Sequence, residues 1–118
     1  MTDVISRQEF VSQVAFDANG LVPAITQHYQ TGEVLMLGYM NRATLEQSLQ
    51  TGFCTYWSRS RNKVWKKGEE SGHTQRIVEA LIDCDGDTLL FKVDQIGPAC
   101  HTGAPTCFFR QANTEPKP

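Results

Sequence analysis

The sequence predicts an α+β fold: a mostly antiparallel β-sheet with one or two helices, in a single domain. Three observations carry this expectation. The chain has 118 residues, the size of one domain, because two halves would each hold too small a core. Its apolar stretches are short, β-prone and separated by turn residues. One segment reads clearly as a helix. No repeat or low-complexity linker interrupts residues 1–110, which read as one continuous domain. Gln111–Pro118 (QANTEPKP) is polar, carries two prolines and reads as a flexible tail.

In chain order, Leu21–Gln27 and Glu33–Gly38 are apolar runs joined by His28–Gly32, a slightly long hairpin loop ending in Thr-Gly. Asn41 is a good N-cap for a helix over Arg42–Gln50, in which Ala43, Leu45 and Leu49 alternate with polar residues. Gly52 stops it. Phe53–Ser58 (FCTYWS) is aromatic and reads as a strand. Arg59–Thr74 is polar and contains glycine, so it is expected to be a long loop. Arg76–Ile82 and Thr88–Val93 are two further strands around Asp83-Cys84-Asp85-Gly86-Asp87, where Asp-Gly signals a tight turn. Gly97–Cys107, with Pro98, Gly103 and Pro105, is expected to be irregular.

Composition narrows the function. Apolar residues at 40% and charged residues at 20% make a globular mixture. The net charge of -2 excludes the basic footprint of a general nucleic-acid binder. No apolar run approaches the ~20 residues of a membrane helix. Met1–Phe10 lacks the positive start and apolar stretch of a signal peptide, so a cytoplasmic location is expected. In that reducing compartment Cys54, Cys84, Cys100 and Cys107 are not expected to form disulfides.

Three clusters bear chemistry. Cys84 lies in the acidic turn, and Cys100 and Cys107 follow 16 and 23 positions later on irregular backbone. Two readings stand: buried cysteines in a small core, or thiolates converging on a tetrahedral zinc with a fourth position for water. The Pro- and Gly-rich loop Gly97–Gly103 is poor core material and favours the second. Cys54, in an apolar strand, reads as packing. Asp83, Asp85 and Asp87 put three carboxylates within five residues. Alone they read as a solvated acidic turn. Beside Cys84 they suit a hard divalent cation, for which Mg²⁺ is the expectation. A calcium EF-hand is rejected, because its sixth place needs glycine and holds Thr88.

The third cluster is basic. Arg59, Arg61, Lys63, Lys66 and Lys67 are five of the eleven basic residues, within nine positions. Trp57, Ser58, Ser60 and Trp65 are interleaved, and Gly68, Glu69 and Ser71 follow. A solvated loop is the plain reading. Guanidinium forks, hydroxyls and indole faces together suit a nucleotide, and the acidic remainder of the chain argues against a nucleic-acid polymer. Among the histidines, His28 reads as a surface residue and His73 as a weaker substrate candidate. His101, next to Cys100, is the best general acid/base.

The segments Gly32–Asn41 (GEVLMLGYMN), Trp57–Arg61 (WSRSR), Trp65–Gly72 (WKKGEESG), Asp83–Asp87 (DCDGD) and Gly97–Arg110 (GPACHTGAPTCFFR) closely resemble the phosphoribosyl-AMP cyclohydrolases of histidine biosynthesis. The resemblance covers about Gly20 to Arg110 and is to the stand-alone form. It implies hydrolysis of the N1–C6 bond of the adenine ring of 1-(5-phosphoribosyl)-AMP. It also implies a homodimer with intersubunit metal sites, holding one Zn²⁺ and one Mg²⁺ per subunit. The family's zinc thiolates match Cys84, Cys100 and Cys107, with Cys84 given by the partner subunit, and its magnesium carboxylates match Asp83, Asp85 and Asp87. Two other readings are weighed. A zinc nucleotide deaminase would show His-x-Glu followed by Pro-Cys-x-x-Cys, which this sequence lacks. A non-enzymatic zinc module would need a closed fourth ligand, with only His101 or Cys54 left to supply it.

Overall fold

The computed structural model describes residues 3–117 and has the α+β architecture expected. A short helix, α1 (Arg7–Ser12), precedes β1 (Val22–His28) and β2 (Val34–Met40). Then come α2 (Arg42–Thr51), β3 (Thr55–Ser58), β4 (Lys63–Lys66), β5 (Gln75–Ile82) and β6 (Leu89–Gln95). The main sheet runs β2-β1-β6-β5, and β3 pairs with β4 in a second, two-stranded sheet.

The β1–β2 hairpin forms as read, closed by His28 N–H donating to the Glu33 carbonyl at 2.8 Å. Asn41 caps α2, accepting from the Thr44 amide while the Thr44 hydroxyl accepts from the Asn41 amide. This reciprocal box satisfies two donors that the helix itself leaves unpaired. Gly52, in the left-handed region, ends the helix.

Two features depart from the sequence reading, and a third adds detail within it. Arg59–Thr74 is not all loop: Lys63–Lys66 forms β4, with Ser58 opposite Lys63 and Thr55 opposite Lys66. Helix α1 was not anticipated, although Ser6 and Glu9 carry its signal, the Ser6 hydroxyl accepting from the Glu9 amide at 3.1 Å. Strands β1 and β6 pair in parallel, the one parallel pairing in a sheet otherwise antiparallel.

The sheet is two-sided, and its sides differ. Val22, Ala24 and Thr26 of β1 and Leu89, Phe91 and Val93 of β6 alternate onto one face and are fully buried. That face meets α1, α2 and β3 through Phe10, Val11, Leu45 and Tyr56. The Tyr56 hydroxyl donates to Gln75 Oε1 at 2.6 Å, and Gln75 Nε2 donates to Gln95 Oε1 at 2.9 Å. These buried bonds tie β3 to the ends of β5 and β6 and fix the wall on which the candidate site stands. The opposite face, carrying Ile25, Leu37, Leu81 and Leu90, is only half-buried or exposed.

Candidate active site

Strand β6 separates two groups of chemistry. The acidic turn precedes Leu89, and the Gly97–Cys107 loop follows Gln95. A seven-residue strand spans about 20 Å at ~3.3 Å per residue, so Cys84 and the Cys100–Cys107 pair sit at opposite ends of the sheet. Among the described residues, the one group of three metal-ligating side chains with atoms within 4.8 Å of one another is Asp83, Asp85 and Asp87. The three thiols do not converge within one chain.

At the acidic end, Asp83 Oδ1 accepts from the Asp87 and Thr88 amides at 3.0 and 3.2 Å. Desolvation works to raise the Asp83 pKa, but the hydrogen bonds from Asp87 and from Thr88 outweigh it and hold the carboxyl below its ordinary range. Sharing with Asp85, then with Asp83, raises Asp87. Three exposed carboxylates crowded this closely repel one another, which is the donor set a hard divalent cation relieves. Gly86 holds the turn against the chain that follows α1, its carbonyl accepting from Ala15 N–H at 2.7 Å.

At the other end, the cysteine loop folds back on itself. Cys100 N–H donates to the Ala104 carbonyl at 3.2 Å, and Cys107 N–H donates to the Leu35 carbonyl of β2 at 2.7 Å. Cys100 Sγ accepts from the Thr102 hydroxyl at 3.1 Å. That hydroxyl, then the Thr102 amide, with smaller help from Cys107 and Lys67, lowers the Cys100 pKa. Burial, then the neighbouring Cys100, raises Cys107. One thiol of the pair therefore ionises ahead of the other, and such a pair suits a soft cation that takes sulfur. His101 is exposed beside them. His73 packs its ring against the backbone of Gly97 at the base of the same loop, where a Cβ would stand 2.5 Å from His73 Cδ2.

The β3–β4 hairpin carries the basic cluster. Its tip, Arg59–Asn62, is exposed and carries Arg59 and Arg61. The Arg59 guanidinium stacks on Tyr39 of β2, 3.8 Å from the ring centroid. Ser58 Oγ lies 3.5 Å from Ser60 Oγ and accepts from the Arg61 amide at 3.3 Å. Trp57 is half-buried, while Lys63, Trp65, Glu69 and Ser71 are exposed. Lys67, at the base of the hairpin, is buried beside the cysteine loop and donates through Nζ to the Ala99 carbonyl. Gly68 fits tightly after it, since a Cβ there would stand 2.5 Å from the His73 carbonyl carbon. Cys54 is fully buried, and burial pushes its thiol up to about 12, which marks it as packing.

Tyr39 and Thr102 were not singled out from sequence. Thr102 had a weak signal, a hydroxyl two positions after a candidate ligand. Tyr39 had none, because its role depends on a contact between strands distant in sequence.

The family described as phosphoribosyl-AMP cyclohydrolase has a sequence pattern that matches residues 36–109, from β2 through the cysteine loop. A phosphoribosyl-AMP cyclohydrolase of Micrococcus luteus is 60% identical over 100 residues, 85% of this chain and 79% of the relative. One of Acidiphilium cryptum is 55% identical over 105 residues, 89% of this chain and 90% of the relative. One of Chlorobium phaeovibrioides is 54% identical over 108 residues, 92% of this chain and 79% of the relative. The matched span contains the acidic turn, the basic hairpin and both thiols of the loop, and the chain belongs to the phosphoribosyl-AMP cyclohydrolase family.

Proposed function

We propose that the chain hydrolyses the N1–C6 bond of the adenine ring of 1-(5-phosphoribosyl)-AMP, the ring-opening step of histidine biosynthesis. The observation that carries this reading is the pairing of Cys100 with Cys107 beside His101, on a loop inside the span matched to the family. In this reading Cys100, Cys107 and the partner subunit's Cys84 hold zinc, and Asp83, Asp85 and Asp87 hold magnesium. Zinc supplies Lewis acidity, which brings water pKa values down towards ~7 in favourable sites.

The chain's own residues do the rest. His101, free at the loop surface, takes the proton of the attacking water at an imidazole nitrogen. Water oxygen bonds to C6, the N1–C6 bond breaks, and His101 returns a proton to N1. Arg59 and Arg61, with Ser58, Ser60 and Lys63, hold the two phosphates of the substrate as fork and hydroxyl donors. Trp57 and Trp65 offer ring faces to the base.

The homodimer belongs to the same reading. A lone chain leaves its cysteine pair about one strand length from its Cys84. Its sheet face around Leu37, 44% exposed, has no cover. A second copy related by two-fold symmetry meets both needs, bringing its acidic turn to this chain's cysteine loop. Mixing purified protein with 1-(5-phosphoribosyl)-AMP and following absorbance tests the activity. Ring opening that is lost on chelation and restored by zinc is expected. Release of ammonia in place of ring opening would make the chain a deaminase and overturn the proposal.

A further inference from the structure

Lys67 is the one charged residue of the site that the structure buries, at 7% exposed. Burying an ammonium costs free energy unless an opposite charge or a full set of acceptors meets it. The ion pairs among the described residues are Arg76–Asp94 and Lys92–Glu79, and neither includes Lys67. No carboxylate among the described residues forms an ion pair with it. What surrounds it is the cysteine loop and an indole. Its Nζ donates to the Ala99 carbonyl, the peptide group that leads directly into Cys100. It also lies 5.3 Å from the Trp65 ring centroid.

The position is built rather than incidental. Lys67 N–H donates to the Cys54 carbonyl at 3.2 Å, which pins the residue at the end of β4. The close fit of Gly68 on the His73–Thr74 backbone fixes the turn that follows. Burial works to discharge Lys67, and Cys107 and then Cys100 act against that as the neighbouring negative groups.

We infer that Lys67 is a positioning residue: its buried ammonium is the counter-charge of the Cys100–Cys107 pair and sets how tightly that pair holds a soft divalent cation. The inference rests on the zinc reading given above and deepens it. A site of three thiolates carries a net negative charge, which blunts the acidity that the metal confers on water. A fixed positive charge behind the loop offsets part of that excess. The same residue is then not a grip on substrate phosphate, since its ammonium is committed to the protein interior.

The test uses metal-free full-length protein, wild type and Lys67→Met, with Lys67→Gln as a second neutral variant that retains an N–H donor for Ala99. Folding is checked by circular dichroism, and zinc affinity is measured by competition with a chromophoric chelator. Outer-shell changes of this kind typically cost about 10–100-fold in metal affinity. A loss of that size is expected in whichever neutral variants fold, with kcat reduced at saturating zinc and KM for substrate little changed. Unchanged zinc affinity in folded neutral variants, or a rise in KM with kcat intact, overturns the inference and returns Lys67 to phosphate binding. Wild-type protein that binds no zinc refutes the metal reading itself, and the inference with it.

Discussion

Gly86 ties the acidic turn to the N-terminal segment, and its backbone geometry sets the cost of replacing it with alanine. Its φ is +76°, a left-handed conformation. An L-residue there costs about 1–2 kcal/mol. A Cβ would also stand 2.5 Å from the Gln13 carbonyl oxygen, which is backbone and cannot swing aside. Forcing the two apart adds about 1–3 kcal/mol, the usual range for overpacking. Gly86→Ala should therefore lose about 2–5 kcal/mol, or roughly 8–20 °C in Tm for a domain of this size. Gly20→Ala is the matched control: its φ is +75° and nothing lies within 4 Å of its would-be Cβ. It should lose the strain alone, about 1–2 kcal/mol. Thermal unfolding of both variants at one protein concentration makes the comparison, since assembly makes Tm depend on concentration. Equal losses in the two variants would refute the contact between the acidic turn and Gln13.

Other outcomes follow from the site. His101→Ala should lower kcat by ~10²–10⁴-fold while zinc content stays constant, the usual size of an acid/base effect; loss of zinc with activity would make His101 a ligand. In metal-free native protein a thiol reagent should modify the exposed Cys84 and Cys107, with Cys54 reacting only after denaturation, because its thiol is fully buried and pushed up to about 12. Rapid modification of all four in the native state would contradict that burial. Arg59→Ala should raise KM and reduce its salt dependence, and Arg59→Lys should not restore it, because an ammonium does not reproduce the stacked fork on Tyr39. An unchanged KM in Arg59→Ala would move the phosphate grip away from the hairpin tip.

Elements governed by local chemistry were legible in the sequence. Asn41 announced α2 because a cap is a bond between near neighbours, and Asp-Gly announced the turn between β5 and β6 for the same reason. Strand β4 was hidden because KVWK is short, half lysine and largely exposed, so its pairing with β3 rather than its own pattern makes it a strand. Helix α1 has six residues, too few to show a helical period, and only Ser6 with Glu9 betrays it. The parallel β1–β6 pairing joins segments more than sixty residues apart, and no local signal encodes it.

The site divided along the same line. Residue types and spacing picked out Asp83, Asp85 and Asp87, and the structure gathers their carboxylates. The burial of Lys67 was not legible, because a lysine in a basic run looks solvated until the fold brings the cysteine loop over it. Nor could spacing alone reveal that Cys84 stands at the far end of β6 from Cys100, since that follows from the strand between them.

That separation makes the shared zinc site the central claim, and one complementation measurement addresses it. Cys84→Ser and Cys100→Ser proteins should each be inactive alone. Unfolded together and allowed to reassociate at random, about half the dimers are mixed, each with one doubly altered and one intact site, as two-fold symmetry requires. About a quarter of wild-type activity should return. If all three thiols of a site came from one chain, every site in a mixed dimer would still carry a substitution. No recovery, with mixed dimers shown to have formed, would contradict the account and put the zinc site within a single subunit.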